Sequence, residues 1–321
     1  MILVTGATGF IGSYLLCHLA EKNIYPLALY RSDTKKNSIQ SIFESKFSDG
    51  KSQFEKIVWL KADLTDFPSL EEAFQGITKV YHCAALISFS HSKTKKLIEI
   101  NEHGTSYIVN LCLSYKVKKL IYVSSIAALG NEETSADVDE ETPWNNNEEK
   151  TPYAYSKYGA ETEVWRAGQE GLEFCIVNPG VILGKGSPTN FILNKIKKGF
   201  RFYTPGNTGY VHVLDVISVM SQLMESDING ERFILVAENW TNKSLYQFLL
   251  KKSKRNEKVY LIPKFTFYFF WIVEHFLELI FFRKRKLTRA LIKSMYKQKN
   301  INGDKIKTKL DFYYTPIEEV L

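Results

Sequence analysis

The first sixteen residues, MILVTGATGFIGSYLL (Met1–Leu16), decide the fold. A short apolar run ends in TGATGFIG, where Gly6, Gly9 and Gly12 stand with two residues between each, and the amphipathic FIGSYLLCHLAEK follows. Glycines so spaced between a strand and a helix let the backbone turn tightly and approach a pyrophosphate, which then sits at the positive end of the helix. An αβ turn with no ligand could carry the same glycines. Position at the first strand, with a βαβ unit behind it, favours the phosphate loop. Thr8, Phe10 and Ile11 lie within this junction and are expected beside a dinucleotide.

Downstream the pattern alternates. YPLALY and KIVWLKA read as strands, SLEEAFQG as a helix, KVYHCA as a strand, residues 95–115 as a long helix and KLIYVSS as a strand. Residues 152–169 then read as a helix and EFCIVN as a strand. Apolar strands alternating with helices predict an α/β fold, a Rossmann-type doubly wound parallel sheet covered on both faces. The polar, Ser/Lys-rich residues 32–53 read as a long loop with a weak helix, and the acidic residues 131–150 as a solvated loop over or beside the site. Beyond Pro179 the alternation fades: PTNFILNKIKKG and TNKSLYQFLLKKS read as helices, VHVLDV and ERFILVA as strands. The division expected is a dinucleotide-binding domain over 1–180 and a smaller substrate lobe over 181–321. Residues 211–240 are expected to return to the main domain.

Composition sets the remaining bounds. The chain has 321 residues, 45% of them apolar, enough for one large α/β unit with a lobe. Met1 is followed directly by the first strand, without a basic and then apolar leader, so a cytoplasmic protein is expected. Cys17, Cys83, Cys112 and Cys175 sit in apolar runs without metal-type spacing and read as free thiols; no metal is expected. The net charge is +7, yet residues 241–321 hold 18 Lys/Arg against 7 Asp/Glu. That basic segment suits an acidic substrate or an anionic membrane surface, and no motif supports nucleic acid.

The end of the second strand sets the cofactor's flavour. An acidic residue there hydrogen-bonds the adenosine ribose, whereas an arginine favours a 2′-phosphate. Here the strand ends Leu29-Tyr30-Arg31-Ser32, so NADP(H) is preferred over NAD(H), with Lys35 or Lys36 as helpers. Asp63 and Leu64 end the third strand, where an adenine edge would lie. Ala84 and Ala85 end the fourth, small enough for a close approach.

TPYAYSK (Thr151–Lys157) holds one of three Tyr-x-x-x-Lys matches, the others being Tyr115/Lys119 and Tyr260/Lys264. Thr151 is suited to cap a helix that Pro152 opens, and residues four apart share a helix face. The Tyr115 pair spans a helix end and the Tyr260 pair contains Pro263, so only Tyr153 and Lys157 can face one cleft. Just upstream, LIYVSS delivers Ser124 and Ser125 to the C-terminal end of a strand.

Taken in order, TGATGFIG, Ala84-Ala85, VSSIAALG, YAYSK and NPGVILG resemble the extended short-chain dehydrogenase/reductases, which include nucleotide-sugar epimerases and dehydratases. The resemblance covers about residues 1–240. It implies catalytic roles for Ser125, Tyr153, Lys157 and Asn101, the last near the active-site helix, with Asn178, Pro179 and Val181 contacting the cofactor. Lys157 is expected to draw the Tyr153 pKa down, so that Tyr153 passes a proton as a hydride moves between the nicotinamide and a carbonyl or secondary alcohol. It also implies a homodimer packed through the Tyr153 helix. Arg31 and the VNP segment look most like the dihydroflavonol-reductase-like branch, which also holds hydroxysteroid-dehydrogenase-type enzymes. A nucleotide-sugar epimerase or dehydratase with bound NAD stays open, with Lys195, Lys197, Lys198 and Arg201 for a diphosphate. So does a non-catalytic dinucleotide sensor.

The tail departs from the family. Residues 265–282, FTFYFFWIVEHFLELIFF, precede RKRK at 283–286. Glu274, His275 and Glu278 would be costly inside a bilayer. A core helix of the substrate lobe is the favoured expectation. An interfacial helix, giving peripheral membrane contact through 265–286, is the second and a true span the third. An apolar helix there hints at a lipophilic small-molecule substrate.

Overall fold

The structure, a computed structural model, describes residues 1–130, 137–255, 257–281 and 288–321, with the side chains of 275–281 set aside. RKRK at 283–286, the side chains of His275 and Glu278, and residues 131–136 of the acidic loop lie outside the described residues.

The chain begins β1 (Ile2–Thr5), α1 (Phe10–Glu21), β2 (Leu27–Tyr30), α2 (Asp33–Lys46), α3 (Gly50–Glu55), β3 (Val58–Lys61), α4 (Phe67–Glu72) and β4 (Lys79–His82). It continues with α5 (Thr94–Leu97), α6 (Gly104–Ser114), β5 (Lys119–Val123), β6 (Asp137–Val138), α7 (Pro152–Gln169) and β7 (Phe174–Pro179). Then come β8 (Val181–Leu183), α8 (Asn190–Lys197), β9 (Phe202–Tyr203), β10 (Asn207–His212), α9 (Val213–Glu225), β11 (Glu231–Leu235), β12 (Glu238–Thr241) and α10 (Asn242–Lys252). The chain closes with β13 (Tyr260–Leu261), α11 (Lys264–Phe281), α12 (Arg289–Tyr296), β14 (Asn300–Ile301), α13 (Lys305–Leu310) and α14 (Ile317–Val320).

Seven strands form one parallel sheet in the order β11-β7-β5-β4-β1-β2-β3. Neighbouring residues along each strand point to opposite faces. Leu3, Val80, Leu120, Tyr122 and Ile176 pack toward α6 and α7, while Val4, Tyr81, Ile121, Val123 and Val177 pack toward α1 and α9. Burial on both faces is what makes these strands continuous apolar runs, and it is the doubly wound arrangement the alternation predicts. Strand order reverses between β1 and β4, which opens a crevice at their C-terminal ends.

Beyond the sheet, β10 pairs antiparallel with β12 and parallel with β8. Strand β13 pairs with β9, and β14 with β6. Part of the basic tail turns back on the body: Lys305 and Lys309 both reach Glu231, and Lys293 and Lys297 reach Glu148.

Several readings need correction. Residues 32–53 are not mainly loop: α2 and α3 form there because Ile39, Phe43 and Phe54 anchor otherwise polar helices on the sheet. VHVLDV is a strand only to His212; from Val213 the buried Val216, Ile217, Met220 and Leu223 recur at helical spacing and make α9. The long helix over 95–115 is interrupted by a widened π turn at Ile98–His103. The acidic loop is not wholly solvated, since Glu140 and Glu148 are buried. Over 264–274, where its side chains are described, α11 has no buried residue, so this part of the helix is not core. Phe265, Phe269 and Phe270 lie exposed on its surface, while Phe267 meets Tyr296 and Arg289 stacks over Trp271. Among the described residues no helix is long and apolar enough to cross a membrane.

Candidate active site

Two cavities open at the C-terminal edge of the sheet. The first, of about 370 Å³, is lined by residues from the ends of β1 to β4. Gly6, Thr8, Gly9, Arg31, Ser32, Asp63, Leu64, Ala84 and Ala85 all contribute to its wall, as do Lys35 and Leu86. Gly6 has φ of +65°, and a Cβ there would stand 2.6 Å from the Ala84 nitrogen. A Cβ on Gly12 would meet the Gly6 carbonyl oxygen at 2.2 Å. The loop is therefore a cradle that only glycine leaves open at the N-terminus of α1, and it fits a dinucleotide pyrophosphate. Gly12, Phe10 and Ile11 lie behind the cavity in α1 rather than in its wall. Arg31 Nη1 pairs with Asp63 Oδ2 at 3.3 Å. Burial raises the Asp63 pKa, but bonds from Thr65 and Arg31 outweigh it and leave the carboxyl below its usual range.

The second cavity, of about 390 Å³, has Ser125 and Tyr153 in its wall, with Val181 and Phe89. Strand β5 carries Ser125 just past its end. Thr151 caps α7 by accepting from the Ala154 N–H at 3.2 Å, and Pro152 opens the helix. That cap aims the first turn, with Tyr153, at Ser125. Ser125 Oγ accepts from the Ala127 N–H at 3.1 Å, and the Phe89 ring meets the Tyr153 ring edge-on at 5.8 Å. Burial pushes the Tyr153 phenol up to about 12, with the Ser125 hydroxyl pulling the other way. This runs against the lowering expected from Lys157.

The reason lies in where Lys157 points. Its ammonium is buried and donates to the Tyr122 hydroxyl at 2.7 Å and the Val123 carbonyl at 2.8 Å. Burial lowers its pKa to about 7, against the opposing pull of the Glu161 carboxylate one turn along α7. Glu161 is itself buried, which raises its pKa despite the nearby Ser124, Arg232, Asn178 and Lys157. Arg232 Nη1 lies 3.5 Å from it, and Asn178 Nδ2 donates to both Glu161 and the Ser125 carbonyl. Asn178 and Pro179 thus sit beneath Ser125 inside β7 and line neither cavity.

The Asn101 side chain makes its hydrogen bonds to Leu86 and Ser156 rather than to Tyr153 or Lys157. It accepts from the Leu86 N–H at 2.7 Å, and its amide donates to the Leu86 carbonyl and to Ser156 Oγ. Ser156 Oγ in turn donates to the Tyr153 carbonyl at 2.9 Å. The widened turn around Asn101 brings this amide between the loop after β4 and the start of α7. Below it, His82 stacks on Tyr122 and is bonded to Thr5 and Thr105; burial depresses its pKa to about 3, so the ring is neutral. Sequence reading missed Tyr122, His82 and Glu161. Only Glu161, four residues after Lys157 on one helix face, left a local signal.

Lys195, Lys197, Lys198 and Arg201, the residues considered for a diphosphate, line neither cavity. Arg201 pairs with Glu257, and Lys197 reaches the Leu321 carbonyl. The four cysteines are free, and Cys83, half-buried at the end of β4, is held protonated with its pKa pushed up to about 12 by burial.

A glycine cradle at the switch point of a parallel sheet, opening beside a second cavity walled by serine and tyrosine, defines a Rossmann-type dinucleotide-binding enzyme. The chain belongs to the NAD dependent epimerase/dehydratase family, whose profile matches residues 2–236. It is an NAD(P)-dependent oxidoreductase of the extended short-chain dehydrogenase/reductase type. It is 27% identical over 255 residues to sterol demethylase protein B of Methylococcus capsulatus, covering 77% of this chain and 73% of that protein. To tetraketide alpha-pyrone reductase 2 of Arabidopsis thaliana it is 30% identical over 252 residues, covering 72% and 76%. The solved UDP-glucose 4-epimerase of Thermus thermophilus, in complex with NAD, shares the fold with a TM-score of 0.73 at 20% identity, over 99% of this chain and 96% of that one.

Proposed function

We propose that this chain is an NADPH-dependent reductase of a ketone or aldehyde on a small, largely apolar substrate. The observation that carries the reading is Tyr153. Its phenol lies in the wall of the second cavity beside Ser125, and burial keeps it protonated at neutral pH. A phenol so held is a proton donor, which suits reduction of a carbonyl better than oxidation of an alcohol. When bound, the nicotinamide supplies the hydride. Tyr153 protonates the carbonyl oxygen, and the Ser125 hydroxyl donates a hydrogen bond to the same oxygen as charge develops on it. Lys157 has three N–H donors and two are committed to Tyr122 and Val123; the third would hold the nicotinamide ribose. Arg31, Ser32 and Lys35 line the same cavity as the glycine loop, which supports a 2′-phosphate there.

The relatives' names support the reductive direction. Besides the pyrone reductase, they include a putative dihydroflavonol 4-reductase of Synechocystis and cinnamoyl-CoA reductases. The apolar lining of the second cavity, with Phe89, Leu129, Val138 and Ile301, supports an apolar substrate body. The test is NADPH oxidation over lipophilic ketones and aldehydes, with nucleotide sugars in parallel. Tyr153→Phe should lower turnover by about 10²–10⁴-fold with NADPH binding retained. Turnover equal to that of the parent chain would end the assignment.

A further inference from the structure

The cavity that holds Ser125 and Tyr153 is also walled by Lys150, Lys293, Lys297 and Lys299, against two carboxylates, Glu148 and Glu149. Glu149 is exposed, whereas Glu148 is buried and already surrounded. Lys297 Nζ stands 2.6 Å from its Oε1, Lys293 3.6 Å from the same atom, and Lys150 3.2 Å from Oε2. Among the described residues, Lys150, Lys293 and Lys297 thus share this carboxylate. Lys299 makes no ion pair with either acid, and its pKa is depressed to about 8 by burial and then by the ammonium of Lys297. Like charges gathered on a partly dry wall repel unless a counter-charge arrives. The excess is a local one: residues of α12 and its C-terminal extension are brought against the segment leading into α7, some 149 residues away along the chain.

We infer that the substrate carries an anionic, oxygen-rich group, a carboxylate or a phosphate, which these lysines bind while the apolar wall takes its body and Ser125 and Tyr153 face its carbonyl. The inference rests on the reading above only in taking this cavity as the substrate's. Lys150 and Lys297 remain tied to Glu148, so Lys299, with Lys293 beside it, is the cation best placed to change partner.

Direct binding tests this without turnover. Dodecanoate, dodecyl phosphate and dodecanol are titrated into the full chain by calorimetry at low and high salt. Either anion should bind about tenfold tighter than dodecanol at low salt, with the advantage shrinking as salt rises. The tighter of the two anions names the group. In Lys293→Gln/Lys299→Gln the ratio of dodecanol to anion dissociation constants should fall to about one. Lys251→Gln/Lys252→Gln, which removes the same charge from the exposed end of α10, should keep the ratio. A ratio near one in the parent chain overturns the inference. So does a ratio that survives in the first pair, or one that falls equally in both. Because no step needs NADPH, a chain that binds dodecanoate through these lysines yet reduces nothing would refute the proposed reaction and leave this inference standing.

Discussion

Tyr122→Phe isolates the group on which the candidate site turns. The hydroxyl of Tyr122 is one of two fixed acceptors for the Lys157 ammonium, at 2.7 Å, and the Val123 carbonyl is the other. Phenylalanine keeps the ring that stacks on His82 and deletes only the oxygen. A hydrogen bond to a charged group contributes about 1.5–3 kcal/mol, and one pH unit of pKa corresponds to about 1.4 kcal/mol. Loss of the acceptor penalises the charged form, so the Lys157 pKa should fall by about one to two pH units from its value of about 7. At pH 7 the side chain would then be mostly neutral. The assay is a ¹³Cε NMR titration of lysine-labelled protein, with the Lys157 signal assigned by its loss in Lys157→Arg. If the reading of Lys157 is right, the alkaline limb of NADPH oxidation should move down by the same interval. Superimposable titrations of the parent chain and Tyr122→Phe would refute the reasoning, because the bond would then contribute nothing to the cation.

Arg31→Ala should weaken NADPH by about tenfold or more through loss of a charge-assisted bond and leave NADH nearly unchanged; equal losses by fluorescence titration would remove the NADPH preference. Lys157→Met should stabilise the fold at pH 7. The Lys157 pKa of about 7 in the folded chain lies below the usual 10.5, so the unfolded state binds more protons between those values and stability rises with pH across that window. The gain from methionine, on the order of 2–4 kcal/mol at pH 7, should therefore shrink toward pH 10; urea melts showing a pH-independent difference would contradict this. Membrane contact through 265–286 is checked with Phe269→Asp/Phe270→Asp on the exposed face of α11. This change should weaken sedimentation with phosphatidylglycerol vesicles by about tenfold, and unchanged sedimentation would retire the idea.

The sheet and its first loop were legible because their signals are local. Glycine spacing, apolar runs and the Thr151-Pro152 start each lie within a few residues of what they determine. The helices over 33–55 were hidden because three apolar anchors, Ile39, Phe43 and Phe54, carry them among polar neighbours. Helix α9 was hidden for the opposite reason. Its start, Val213-Leu214-Asp215-Val216, is β-branched and continues a real strand, so the period changes without punctuation. Ser125, Tyr153 and the glycines could be singled out from their order along the chain. The destination of the Lys157 ammonium could not, because it depends on a tyrosine 35 residues earlier on another element. Nor could the lysine wall, where Lys293 and Lys297 meet Glu148 only through the folded tail.

What links the two cavities is a chain of hydrogen bonds whose direction can be worked out donor by donor. The Thr105 hydroxyl donates to the Asn101 carbonyl at 2.5 Å, so toward His82 Nε2, 3.0 Å away, it must accept. Since His82 is neutral, a proton on Nε2 leaves Nδ1 bare, and Nδ1 accepts from the Thr5 hydroxyl at 2.6 Å. The same Thr5 oxygen accepts from the Ala84 N–H at 3.3 Å. On the other side, the Asn101 amide grips Leu86 and Ser156, and Ser156 grips the Tyr153 carbonyl. The residue that precedes Gly6 is therefore connected without a break to the backbone of the tyrosine. Every hydroxyl in the series donates once, so reversing any one bond would leave a buried oxygen or nitrogen without its partner. A neutral His82 keeps that direction fixed at every pH at which the fold is expected to work. Phosphate loop and tyrosine are thus held in one register by a series whose buried middle, His82, Thr105, Asn101 and Ser156, lines neither cavity.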